Sequence, residues 1–222
     1  MTVPVVDPPP GPPAVPRTLT RATLQDGVRA LAAQDPVLAA IVARHGPPPL
    51  WARPQGFSTL VHIILEQQVS LASAATLFAR VARTIPGGVT PDAVRAVGAA
   101  GLRTLGLTRQ KAGYVAALAE RVADGSLPLA SLGRRPDAEA AALLMRCPGI
   151  GPWTSAIYLL MALRRPDVWP PGDLALHKAI GRACGCPTPS SDEATALAAR
   201  WSPWRAVAAR VLWHGYLSER AG

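Results

Sequence analysis

The stretch Leu143–Leu176, LLMRCPGIGPWTSAIYLLMALRRPDVWPPGDLAL, decides how the rest of the chain is read. Two helix-like segments, Asp137 to Met145 and Pro152 to Leu163, flank the turn Pro148-Gly149-Ile150-Gly151. The two glycines allow a tight turn with positive φ and a close approach of the backbone to a ligand. Pro152 suits the first turn of the helix that follows. The unpaired amides at that helix start, aided by the helix dipole, form a natural phosphate site that needs no side chain. Ile150 is expected to anchor the turn in the core. About twenty residues on, Asp173 follows Pro170-Pro171-Gly172 and precedes an apolar helix. From position alone it is an ordinary N-cap. Beside a phosphate-holding turn, it is also a candidate for chemistry.

Working outward, the same helical spacing recurs. Leu24, Val28, Leu31 and Ala32 form one apolar stripe, and Val37, Leu38, Ile41 and Val42 another. Phe57, Leu60, Val61, Ile64 and Leu65 mark a helix ending near Gln67. Ser70 is a candidate N-cap for the next, whose face is Leu71, Ala74, Ala75, Phe78 and Val81. Thr90 before Pro91, and Thr108, open two more. Leu174–Cys184, Asp192–Trp201 and Trp204–Ser218 complete the pattern. No run alternates as a strand does, so the expectation is an all-α fold of roughly ten short helices. Residues 1–17 are proline-rich and aperiodic, and are expected to be a disordered tail.

Composition narrows the function. The chain has 222 residues and 49% hydrophobic content, enough for a real core. No apolar run reaches the roughly 18 residues that span a bilayer, and residues 1–17 lack the pattern of a secretory signal. Three cysteines, Cys147, Cys184 and Cys186, are too few for a disulfide framework or a four-cysteine metal site. The 23 Lys+Arg against 14 Asp+Glu give a net charge of +9, which suits a polyanion such as nucleic acid. Nearly all of that charge is arginine, and only Lys111 and Lys178 are lysine.

Four segments in order, Ile64–Ser70 (ILEQQVS), Cys147–Ala156 (CPGIGPWTSA), Pro170–Leu176 (PPGDLAL) and the Trp-rich end with Trp201, Trp204 and Trp213, resemble the helix-hairpin-helix (HhH-GPD) DNA glycosylase superfamily. The likeness is closer to its 3-methyladenine DNA glycosylase II branch and runs from about Pro54 to Ser218. It implies two helical lobes flanking a cleft, one over about 58–165 and the other over about 18–57 plus 166–222, without an N-terminal sheet domain. It implies Asp173 as the catalytic carboxylate, Pro148, Gly149, Ile150 and Gly151 as the backbone-gripping hairpin, and Gln68 as the wedge that enters the DNA stack. It favours Trp153 and Trp213 as walls of the base pocket, and Tyr158 is a further candidate. The carbonyls of Met145, Cys147 and Ile150 are implied to hold a structural Na+ or K+, with no other cofactor required.

Bifunctional relatives carry an amine nucleophile two residues after the second hairpin glycine, where this chain has Trp153. Lys178 lies five residues past Asp173, roughly 140° around a helix. The expectation is therefore a monofunctional hydrolase acting as a monomer on damaged double-stranded DNA, without membrane association, in the cytoplasm at the bacterial nucleoid. It would remove alkylated purines and leave an abasic site. Deaminated or oxidised bases, or a non-catalytic hairpin module in which Asp173 is only a cap, are the alternatives. Glu66 is the runner-up acid, while His62, Trp201 and Trp204 are expected to be structural.

Overall fold

A computed structural model describes residues 17–221, and the expected tail lies outside these residues except for Arg17. The chain is all-helical: the described residues form twelve α-helices, one 3-10 turn and no strand. The helices are α1 (Arg21–Gln34), α2 (Pro36–His45), α3 (Phe57–Glu66), α4 (Leu71–Thr84), α5 (Pro91–Thr104) and α6 (Arg109–Ala123). After them come α7 (Leu129–Leu132), α8 (Asp137–Met145), α9 (Pro152–Met161), α10 (Leu174–Cys184), α11 (Ser191–Ala198) and α12 (Arg205–Ala221).

Most helix starts are written in side chains. Thr20, Asp35, Ser70, Thr90, Thr108, Asp173 and Ser190 each accept a backbone N–H from the first turn of the helix they open. Such a cap replaces one of the hydrogen bonds that a helix end otherwise lacks. Three expected boundaries shift. The segment expected as Asp192–Trp201 begins at Ser191 under a Ser190–Glu193 capping box and tightens into a 3-10 turn over Ala199–Trp201. Helix α9 stops at Met161, because the Leu163 amide folds back onto the Tyr158 carbonyl. Helix α12 runs past the expected Ser218 to Ala221. Within α5 the chain kinks at Gly98, whose φ is +65°.

Two packed groups result. Helices α3, α4, α6, α8 and α9 pack through α3 and α9, with α5 against α6. Helices α1, α2 and α10 pack around α12, with α11 on α10. The chain builds part of the second group, leaves it after α2, and returns at α10. Arg210 joins the two. It is fully buried, and its guanidinium donates to the carbonyls of Leu50, Ala206 and Leu160 at 2.7–2.9 Å. Burial pulls its pKa down to about 9. Three carbonyls satisfy the donors without a carboxylate partner, pinning the loop before α3 to α9 and α12.

Asp35 does similar work between helices. Its Oδ1 caps α2 at Val37 and Leu38, and its Oδ2 accepts the Trp201 indole N–H at 2.7 Å and pairs with Arg200 at 2.9 Å. Burial pushes this carboxyl up, but those hydrogen bonds and Arg200 outweigh it, so the net pKa is lowered. A folded pKa below the unfolded one gives stability that is present above about pH 4 and lost as pH falls through the folded value. Asp35→Ala is expected to cost about 1–2 kcal/mol at neutral pH. The variant should also show a shallower fall of melting temperature on acidification than the parent. Parallel acid profiles would show that Asp35 contributes nothing to acid sensitivity.

Candidate active site

Helix α9 opens at Gly151 without a side-chain cap, so its first amides are left to an outside acceptor. The turn before it is held from several sides. Ile150 is buried as expected and donates its N–H to the Cys147 carbonyl at 3.1 Å. Gly149 has φ +80°, and the Tyr114 ring lies directly against it. The Gln67 side-chain amide donates to the Gly149 carbonyl at 2.8 Å and to Thr154 Oγ1 at 2.9 Å. Lys111, distant in sequence, reaches the same place: its Nζ donates to the carbonyls of Leu65 and Gln67 at 2.8 and 2.9 Å. Burial lowers the Lys111 pKa. These groups border a depression of about 540 Å³ at the hairpin.

Gln68 stands out from this braced base. It is exposed and holds φ +57°, a left-handed conformation that costs a non-glycine residue about 1–2 kcal/mol. Strain of this kind persists only where the surroundings impose it, and it gathers at functional positions. Here the bonds to Gln67 and Lys111 impose it.

Asp173 lies at the wall of a cleft of about 1120 Å³ between the two helix groups. It is only 9% exposed. Its Oδ2 accepts the Trp153 indole N–H at 2.9 Å, and its Oδ1 accepts the Trp213 indole N–H at 3.2 Å and the Leu176 amide at 2.9 Å. Asp173 is therefore both the cap of α10 and a fixed carboxylate facing a cavity, and the two roles do not compete. The preceding Gly172, at φ +74°, turns the chain into this position.

Trp153 and Trp213 both border the cleft, with Ile157 and Met161. Trp51 joins them, at φ +45° and edge-on to His214. Sequence reasoning passed over Trp51, although a tryptophan straight after Pro47-Pro48-Pro49-Leu50 in a loop is a signal of its kind. Tyr158 requires a correction. It is fully buried, and its hydroxyl accepts the Gly56 amide at 2.9 Å, so it braces the start of α3 and lies outside the cleft. Trp201 and Trp204 are core residues, and His62 stacks on Phe78 at 4.3 Å between centroids. Glu66, the runner-up acid, is buried and paired with Arg53. Neither lysine borders the cleft: Lys111 lies at the hairpin, and Lys178 faces a separate depression with Arg182 and Arg220. Four exposed apolar side chains, Val69, Leu71, Leu174 and Leu217, border the cleft.

A hairpin with free helix-start amides, set beside a carboxylate cleft between two helical groups, is the arrangement of a helix-hairpin-helix protein. The chain belongs to the HhH-GPD superfamily of base excision DNA repair proteins, whose family model matches residues 61–204. Among curated relatives, the Bacillus subtilis (strain 168) protein named "Putative DNA-3-methyladenine glycosylase YfjP" is 29% identical, over 79% of this chain and 64% of its own length. The Escherichia coli (strain K12) DNA-3-methyladenine glycosylase 2 is 31% identical, over 71% of this chain and 57% of its own. The chain thus spans less than two thirds of either relative. The crystal structure of a DNA-3-methyladenine glycosidase from Bacillus halodurans superposes with a TM-score of 0.72 at 26% identity, covering 88% of this chain and 91% of that one. The Schizosaccharomyces pombe 3-methyladenine DNA glycosylase shares the fold, with a TM-score of 0.76 at 24% identity over 84% of this chain and 94% of that one.

Proposed function

We propose that this protein is a monofunctional DNA glycosylase that everts alkylated purines of the 3-methyladenine and 7-methylguanine type and hydrolyses their N-glycosidic bond. One observation carries the reading: Asp173 is fixed by two indole N–H groups in an aromatic cleft that no lysine borders, and one of those indoles, Trp153, stands in the first turn of the helix whose start amides are free. The hairpin amides take backbone phosphate, and Gln68 fills the space left by the everted nucleotide. N-alkylated purines are cationic, and the electron-rich faces of Trp51, Trp153 and Trp213 suit such a ring.

As the C1′–N bond breaks, its electron pair goes to the base, which leaves neutral. Positive charge builds on the deoxyribose, and the Asp173 carboxylate stabilises it. A water oxygen then bonds C1′ and gives its proton to Asp173 or to solvent. The products are a free base and an abasic site with the strand intact. A cationic base is already a good leaving group, so no acid need protonate it as it departs.

The hairpin also fits a monovalent cation. Among the described residues the carbonyls of Met145 and Ile150 accept no hydrogen bond, and that of Cys147 accepts one and keeps a second lone pair. We assign these three as the holders of Na+ or K+, which would add positive charge facing the phosphate. The protein would work as a monomer on damaged duplex DNA, in the cytoplasm at the nucleoid. No described helix is long and apolar enough to cross a membrane.

The test is incubation of the purified protein with methylated duplex DNA. Free 3-methyladenine and 7-methylguanine should appear, and strands should break only after alkali or heat. Absence of base release would refute the glycosylase reading, and nicking without such treatment would refute its monofunctional part.

A further inference from the structure

The Asp173 cleft contains a second acid that the chemistry above leaves unused. Glu66 closes α3 and is 7% exposed, yet both it and Arg53 border the cleft. They form a forked pair: Arg53 Nη1 donates to Glu66 Oε2 at 2.9 Å, and Nη2 to Oε1 at 2.7 Å. A carboxylate has about four acceptor positions, so about two remain open. The neighbouring His62 does not take them, since its Nε2 stands 3.7 Å from Oε1, beyond hydrogen-bond reach. Burial lowers the His62 pKa, with Glu66 opposing and Arg53 reinforcing the shift, so the ring is neutral at neutral pH. The local charges on this wall are therefore one carboxylate and one guanidinium, with Asp173 bordering the same cavity.

A buried ion pair is a weak source of stability, because desolvation offsets most of its attraction. Its charges nevertheless act on whatever occupies the cavity, where water screens them poorly. We propose that the Arg53–Glu66 pair reads the charge of the everted base. This rests on the base-excision reading of the cleft. Glu66 turns its open lone pairs to an exocyclic amino group and favours a purine carrying positive charge. Arg53 limits that preference, so that neutral purines are not wholly refused. The ligand class is a cationic N-alkylated purine bearing an amino group, and the two residues determine specificity without taking part in bond cleavage.

The two charges make opposite predictions. Glu66→Gln keeps volume and one hydrogen bond but leaves Arg53 uncompensated. Arg53→Gln leaves Glu66 uncompensated. The readout is the ratio of kcat/KM for 7-methylguanine, cationic, to that for hypoxanthine, neutral, in otherwise identical duplexes. Affinities for the two duplexes give the same ratio where release is slow. The ratio is expected to fall about tenfold in Glu66→Gln and to rise about tenfold in Arg53→Gln. Being a ratio, it cancels any loss of folded protein, and either variant alone decides by its direction. Arg53→Lys keeps the charge but not the fork, freeing one carboxylate oxygen; it should fold where Arg53→Gln does not and raise the ratio about threefold. A pair that is only a strut lowers both rates together, and an unmoved ratio overturns the proposal. A parent protein that releases neither base overturns the glycosylase reading instead.

Discussion

Asp173→Asn is expected to lower base release from methylated duplex DNA by about 10²–10³-fold under single-turnover conditions. DNA affinity should stay within about threefold of the parent, because the hairpin amides proposed to hold phosphate lie elsewhere. The expectation follows from separating the two roles of this side chain. As a cap, asparagine is as good as aspartate, and its oxygen can still accept from Leu176 and Trp213. As a carboxylate it is lost. The amide has no charge to offer a cationic sugar, and its NH₂ group meets the Trp153 indole N–H, donor against donor. That lost bond should cost about 1–2 kcal/mol of stability, visible as a modest fall in melting temperature. Parental rates in a folded Asp173→Asn protein would leave Asp173 as a cap alone and return the chain to the class of hairpin DNA binders. Asp173→Ala, which also removes the cap, should be less stable than the asparagine variant and no more active.

Gly149→Ala should weaken duplex binding at least about tenfold and destabilise the protein by about 2–4 kcal/mol. Two costs combine. A Cβ at this position would overlap the Cγ and Cδ2 atoms of Tyr114 and come within 2.8 Å of its Cβ. The backbone is also at φ +80°, where an L side chain is strained by about 1–2 kcal/mol. They can be told apart. Tyr114→Ala in the Gly149→Ala background removes the overlap but not the strain, so the double variant should regain part of the lost stability in urea unfolding. Base release should fall through KM more than kcat, since on the proposed reading the hairpin would grip the backbone and take no part at the reacting sugar. Parental affinity in Gly149→Ala would show that the close approach at this glycine is not what DNA requires.

Much of this site is legible along the chain because its parts are local. Thr90-Pro91, Pro148–Pro152 and Gly172-Asp173 each encode a turn and a helix start within a few residues. What the sequence hides comes from distant segments. Tyr114 packs on Gly149 from 35 positions away, Lys111 reaches Gln67 from 44, and Arg210 collects carbonyls from 50 and 160 away. No periodicity reports such meetings. Tyr158 differs in kind, because helix geometry alone separates it from Trp153. Trp153 and Tyr158 are five residues apart on α9, about 140° around the axis, so they cannot both face one cavity. Trp153 and Ile157, four apart, do share a face, and both border the cleft.

The two indoles on Asp173 come from the two different helix groups, Trp153 on α9 and Trp213 on α12. The carboxylate is thus aligned like a mark read against two separate scales. Its longer bond is 3.2 Å, so a slide of about half an ångström between α9 and α12 takes it out of hydrogen-bond range. Such a slide leaves the cores of both helix groups intact. On the proposed reading, aim at the sugar is then a tighter tolerance than the fold itself, and a change at a joint such as Arg210, one turn from Trp213 on α12, should be felt first as misalignment and only later as unfolding.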